Sequence, residues 1–311
     1  MTKDNATKRG GLLQGVVRLI GFLLLGLSLA YIAREVAKYW PEIAQWRPGA
    51  AELLNLFVLA LIYALMLYIL AEVWHRLVTI FGPEPRARTW RSYALTQIAR
   101  YLPGNFAHLI GRAVFLRGGL LSSGQIGLAT GLELVIVPAG AMTALLIAVP
   151  FIPISTDIIG PMRLPFNENS LTAIGCIVLV IGIVCLILLG QRLAGGRKFL
   201  ATLFVALSLC TLFMMCLGAV FGTIIGMVSG GPFLVSAVAG VLAWLVGYAT
   251  PGAPGGLGPR EAALVFLLSS VITSNELIIA VALFRLVTIA GDLICFTVGV
   301  IFFREANPVQ E

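Results

Sequence analysis

The sequence predicts an all-α polytopic membrane protein with about six full spans, two re-entrant broken-helix hairpins, an inverted repeat and both termini cytoplasmic. Three observations lead there. Hydrophobic residues make up 59% and charged residues 11% of the 311 positions, against roughly a quarter charged in a soluble domain. The apolar positions gather into runs of about the 20 residues that a hydrocarbon core requires. Two of these runs are broken by proline and glycine, at Tyr101-Leu102-Pro103-Gly104 and at Pro251-Gly252-Ala253-Pro254-Gly255-Gly256-Leu257-Gly258.

Taken in order, the first run extends from about Leu12 to Ala33, behind Lys3, Lys8 and Arg9. Ser28-Leu29-Ala30 has the look of a signal-peptidase site, yet the run exceeds the roughly 7 to 15 residues of a signal core, so an uncleaved helix is expected. The next span covers about Ala51 to Val73 and leads into Arg76, Arg86, Arg88 and Arg91, the densest basic loop. Such loops stay in the cytoplasm. From Ser92 to Arg117 an interrupted segment follows, Pro103-Gly104 separating two pieces each too short to cross. A span from Gln125 to Val149, a proline-rich loop from Pro150 to Asn169 and a span from Leu171 to Leu189 come next. Arg192, Arg197 and Lys198 mark the cytoplasmic end of that last helix.

The span from Phe199 to Met227 carries Gly218, Gly222, Gly226 and Gly230 at a four-residue period. This makes one helix face flat and suits close packing, expected within the chain instead of between copies. Phe233 to Ala249 stops at the second Pro/Gly cluster, and a helix of about 13 residues restarts over Pro259 to Val271. At 1.5 Å per residue it covers roughly 20 Å, short of a roughly 30 Å core. The final span runs from Leu277 to Phe303 and ends at Arg304.

With both arginine-rich loops in the cytoplasm, the order span, broken hairpin, span occurs twice, over 51–149 and 199–303, in opposite orientations. One integral membrane domain is expected over 1–311. The formal charge of +7 is read as topology, with no nucleic-acid partner, because the basic residues sit in short inter-helix loops. Cys176, Cys185, Cys210, Cys216 and Cys295 fall in apolar runs and read as small hydrophobes. His75 and His108 are too few and too far apart for a metal site, and no cofactor is expected.

The chemistry is expected at the breaks. Irregular backbone at membrane depth is tolerated where it lines a cavity or is buried in protein. Broken helices also aim positive N-termini and free N–H groups at the midplane, where an anion can sit. Pro103, Gly104, Pro254, Gly255, Gly256 and Gly258 supply that backbone, and Pro259 suits the first turn of the restarting helix. Within the apolar segments lie Arg100, Arg112, Arg260 and Arg285, with Glu133, Glu261 and Asp292 as charge partners or proton carriers. Four positive against three negative leaves one charge, which a phosphodiester would neutralise through the planar donor fork of a guanidinium. The alternative is that these residues pair internally and hold helices together.

Arg100-Tyr101-Leu102-Pro103-Gly104 followed by Gly111-Arg112, then Pro254-Gly255-Gly256-Leu257-Gly258-Pro259-Arg260-Glu261, then Phe284-Arg285-Leu286, resemble the lysylphosphatidylglycerol synthase transmembrane, or flippase-like, family. The resemblance covers about residues 12 to 304. Pro259 departs from the family, which more often has a non-proline residue before the Arg-Glu pair, and this leaves the local loop geometry open. The resemblance implies the lipid-translocating membrane part, without the soluble aminoacyl-transferase domain that other members carry.

The expected function is therefore a lipid flippase or lipid-transport protein of the cytoplasmic membrane, not an enzyme. It would move an anionic phospho- or glycolipid between leaflets. Its partners would be membrane lipids and a lipid-synthesising enzyme. Two alternatives stand beside it: a lipid-carrier-dependent transferase embedded in the membrane, and a non-catalytic assembly subunit of a lipid or glycan pathway. No nucleotide-binding P-loop pattern is present.

Overall fold

A computed structural model describes residues 46–102, 106–148, 196–250 and 258–303, with isolated positions at 30, 34, 37, 40, 41, 44 and 151. The expected spans over Leu12–Ala33 and Leu171–Leu189, the Pro150–Asn169 loop, both termini, Arg304, Cys176 and Cys185 lie outside the described residues. So do Pro103, Gly104, Pro254, Gly255 and Gly256. The described chain is all-helical, 85% helix without a strand. Among the described residues, four helices are long and apolar enough to cross a membrane.

The first, α1 (Ala50–Thr79), has 30 residues and a mean hydropathy of 2.5. It stops before Gly82-Pro83-Glu84-Pro85, where two prolines remove backbone donors. Pro85, extended, precedes α2 (Arg86–Thr96), which tightens into a 3-10 turn over Gln97–Tyr101. Leu102 then turns extended at φ −75 and ψ 148, as the residue before a proline must. Helix α3 (Ala107–Leu116) restarts after the break and ends at Arg117 and Gly118, the latter at φ +79.

Helix α4 (Ser123–Ala148) opens on a reciprocal cap. The Gln125 N–H donates to Ser122 Oγ at 3.3 Å, and the Ser122 N–H donates to Gln125 Oε1 at 2.8 Å, the Ser-x-x-Gln form of the capping box. Helix α5 (Arg197–Ser229), 33 residues long, ends in Gly230 at φ +65, whose N–H returns to the Gly226 carbonyl. Helix α6 (Phe233–Ala249) stops at Thr250, again extended before a proline. Helix α7 (Pro259–Leu268) has 10 residues, three fewer than its sequence suggests, because the chain turns back at Ser269 through bonds from Val271 and Ile272 to the Leu268 carbonyl. Helix α8 (Ser274–Ile301) closes the described chain.

The long helices form one bundle in which α1 packs on α8, α5 and α4, and α5 packs on α4, α6 and α8. Helix α8 is the most enclosed and α1 the least. The succession long helix, broken pair, long helix occurs twice, as α1, α2–α3, α4 and as α5, α6–α7, α8.

Two of the four periodic glycines make the expected close contact. A Cβ on Gly218 would lie 2.7 Å from the Ala237 carbonyl oxygen, and one on Gly222 would lie 2.7 Å from that of Phe233. Both carbonyls belong to α6, so this face packs within the chain. Gly226 has open space beside it, and Gly230 serves the C-cap. Cys210 and Cys295 are buried in the bundle as small apolar groups, and Cys216 is half-buried.

Candidate functional site: a cavity lined by guanidinium groups between the broken helices

A cavity of about 430 Å³ opens between the two interrupted segments. The first segment supplies Tyr93, Gln97, Arg100, His108 and Arg112, and the second supplies Trp244, Tyr248 and Arg260. Tyr63 of α1, Glu133 of α4 and Phe213 of α5 add to the polar and aromatic wall. Short helices on both sides of each break bring these side chains inward, while the long helices frame them.

The charged residues meet in pairs drawn from different elements. Arg112, 2% exposed, forms an ion pair with Oε1 of Glu133 and donates from Nη2 to Gln97 Oε1 at 3.2 Å. Its guanidinium lies 3.8 Å from the centre of the Tyr93 ring, a cation–π contact. Arg100 donates from Nη1 to the Tyr63 hydroxyl at 3.1 Å and reaches Asp292 at 3.5 Å. Asp292, wholly buried, also accepts the Tyr101 hydroxyl at 2.6 Å.

Glu261 has two duties. Its Oε2 accepts the N–H of Gly258 at 2.6 Å, capping α7, and its Oε1 accepts Nε of Arg285 at 2.5 Å. The Gly258 N–H, expected to face an anion, is therefore occupied by a carboxylate. Arg285 is buried against Glu261 and stands outside the cavity wall, as do Glu261 and Asp292. Thr288, between Arg285 and Asp292 on α8, spends its hydroxyl on the Arg285 carbonyl at 3.0 Å.

Arg260 differs from the other three arginines. It is 3% exposed, lines the cavity and makes no ion pair among the described residues. Its guanidinium lies 4.6 Å from the centre of the Phe284 ring. Nε and Nη2, the two donors on one edge of the group, have no hydrogen-bond partner among the described residues. Glu133 Oε2 and Arg112 Nε, of two other residues that line the cavity, are also buried without hydrogen-bond partners among the described residues.

Several wall residues escaped the sequence reading. Tyr63, Tyr93 and Tyr248 sit in apolar or basic stretches where a tyrosine reads as one more hydrophobic position. Trp244 and Tyr248, one turn apart, stack at 5.0 Å, and their i, i+4 spacing was the available signal. Pro138 lies inside α4 and cannot donate to the carbonyl four residues back. That carbonyl, Leu134, accepts the Tyr248 hydroxyl at 2.8 Å.

Among the described residues, no group of three His, Cys, Asp or Glu could hold a metal ion. The site is thus defined by buried guanidinium and aromatic groups inside an all-helical bundle with four membrane-length helices. Comparison with known proteins finds no family model and no curated protein that matches the chain.

Proposed function

We propose that this protein carries an anionic lipid headgroup across the membrane, as a flippase or lipid-transport protein, with Arg260 as the principal contact. One observation carries the reading. Arg260, a buried arginine whose Nε and Nη2, on one edge of the guanidinium, have no hydrogen-bond partner among the described residues, lines a cavity that the two broken segments share. That edge matches two oxygens of a phosphodiester, the bidentate geometry for which arginine is suited. A fixed charge at such depth is costly unless it serves a site.

The charge balance supports the same reading. Arg112–Glu133, Arg100–Asp292 and Arg285–Glu261 are pairs, so Arg260 holds the surplus charge that the sequence places in these segments. Arg100 and Arg112 would shape the field around the headgroup through their partners, and Arg285 would hold the start of α7 through Glu261. The resemblance to the lysylphosphatidylglycerol synthase membrane part agrees with this assignment. Alternating exposure would come from one broken segment rocking against the other in the cytoplasmic membrane.

The test is leaflet exchange of labelled anionic phospholipids in liposomes containing the purified chain. Wild type should exchange faster than empty liposomes, and Arg260→Ala should lose most of the excess rate, at least tenfold. Arg260→Lys, which keeps the charge and loses the fork, should fall between. Exchange equal to that of empty liposomes, or Arg260→Ala exchanging at the wild-type rate, would remove the reading.

A further inference from the structure

A second constellation lies apart from the cavity, at the corner where α1 meets α2. Between Glu52 and Glu72 of α1 no residue is charged, and at 1.5 Å per residue that stretch covers roughly 30 Å, the thickness of a hydrocarbon core. Glu72 and the turn after it therefore stand at headgroup depth. There Glu72 gathers three side chains. Arg76 approaches its Oε1 from Nε at 2.9 Å, Arg86 donates to the same oxygen from Nη2 at 3.3 Å, and the Trp90 indole N–H donates to Oε2 at 3.2 Å. One carboxylate thus holds two guanidinium groups side by side, and their charge exceeds its own.

Both arginines remain open to an external ligand, their side chains being 38% and 59% exposed. Ion pairs at that exposure are worth little, so the guanidinium groups can turn to a phosphate while Glu72 keeps the Trp90 N–H. Beside them Tyr68, Trp90 and Phe303 form a half-buried aromatic cluster with ring centres 5.6 to 5.9 Å apart, and the Arg86 guanidinium lies 6.0 Å from the centre of the Trp90 ring. Aromatic rings of this kind settle at the membrane–water boundary. None of these residues lines the cavity.

We propose that this corner is a surface site for an anionic phospholipid of the adjoining leaflet, with its phosphate on Arg76 and Arg86 and its glycerol and upper acyl chain along Trp90. Two guanidinium forks within reach of one carboxylate oxygen are also within reach of one phosphate. A lipid suits the corner better than a soluble anion, because the aromatic cluster packs against the apolar part of a lipid and offers a free phosphate nothing. The site lies on the outside of the bundle and does not depend on what the cavity carries.

Quenching of Trp90 tests it. The full chain, with Trp40, Trp46, Trp74 and Trp244 replaced by Phe, is reconstituted in phosphatidylcholine vesicles that contain rising fractions of either phosphatidylglycerol or phosphatidylcholine with brominated acyl chains. Half-maximal quenching should need at least about fivefold less of the brominated phosphatidylglycerol, the scale of one basic side chain at an anionic surface. Should the single-tryptophan chain fail to fold, the difference in quenching between wild type and Trp90→Phe isolates the same ring.

Arg76→Gln/Arg86→Gln should bring the two brominated lipids within about twofold of each other, leaving Trp90 at the boundary but without a charge preference. Equal quenching by both lipids before these substitutions, or a preference that survives them, would overturn the proposal. Recovery of Trp90 emission on adding millimolar inorganic phosphate at constant ionic strength would overturn it as well, by showing that the corner takes a soluble anion.

Discussion

Asp292 shows how strongly each buried charge depends on its neighbours. It is fully buried on α8, and its oxygens take the Tyr101 hydroxyl and the Arg100 guanidinium from the 3-10 turn. Removing one member of such a pair strands the other, at about 3–5 kcal/mol. Asp292→Ala should therefore lower the thermal unfolding midpoint in detergent far more than Arg100→Leu/Asp292→Leu, which removes both charges. A double variant as unstable as the single would show that Asp292 acts through something other than its pairing. The arginines and acids themselves were legible in the sequence, because ionisable residues are rare in apolar runs. Their partners were not: Arg112 meets Glu133 21 positions away and Arg100 meets Asp292 192 positions away, and helical spacing specifies faces, not neighbours on other helices.

Helix extents were more legible than pairings, since length, hydropathy and proline act locally. The sequence span of Phe233 to Ala249 coincides with α6, and α4, α5 and α8 differ from their sequence spans by a few residues at the ends, whereas α1 continues past Val73 to Thr79 and takes in Arg76, expected in the loop. Packing resolves the glycines more finely than their period does. Gly218 touches an α6 carbonyl, whereas Gly226, on the same nominal stripe, faces open space, because α6 begins at Phe233, which already lies beside Gly222. Gly218→Val should cost about 1–3 kcal/mol by forcing the two helices apart. Gly226→Ala should be neutral, or stabilising by up to about 1 kcal/mol through helix propensity. Unfolding in detergent, followed by circular dichroism, measures both, and equal losses would refute the packing assignment.

Across the whole molecule, α6 is bonded to α4 at a point where α4 lacks a helical hydrogen bond of its own. Pro138 of α4 leaves the Leu134 carbonyl without its helical donor, and Tyr248 of α6 supplies one. Tyr248→Phe should destabilise the protein by about 0.5–1.5 kcal/mol, the net worth of an ordinary hydrogen bond. In a Pro138→Ala background, where residue 138 can donate to Leu134 itself, the same change should cost much less. A double-mutant cycle reads this coupling directly, and additive losses would show that the hydroxyl and the proline act independently. The proline was visible in the sequence; the residue that answers it was not, because it lies 114 positions away on another helix.

The ring of Phe284 beneath Arg260 bears on how long a passenger would stay. An ion pair at that position would have to be dismantled before any anion could enter, and would compete to reform as the anion left. A ring face offers the guanidinium a weaker companion, worth about 0.5–2 kcal/mol, that need not move aside when a ligand takes the open edge. If Arg260 seats an anion as proposed, departure would then meet no ion pair competing to reform, and residence would be set by what the passenger itself contributes. Such a seat would suit turnover better than storage.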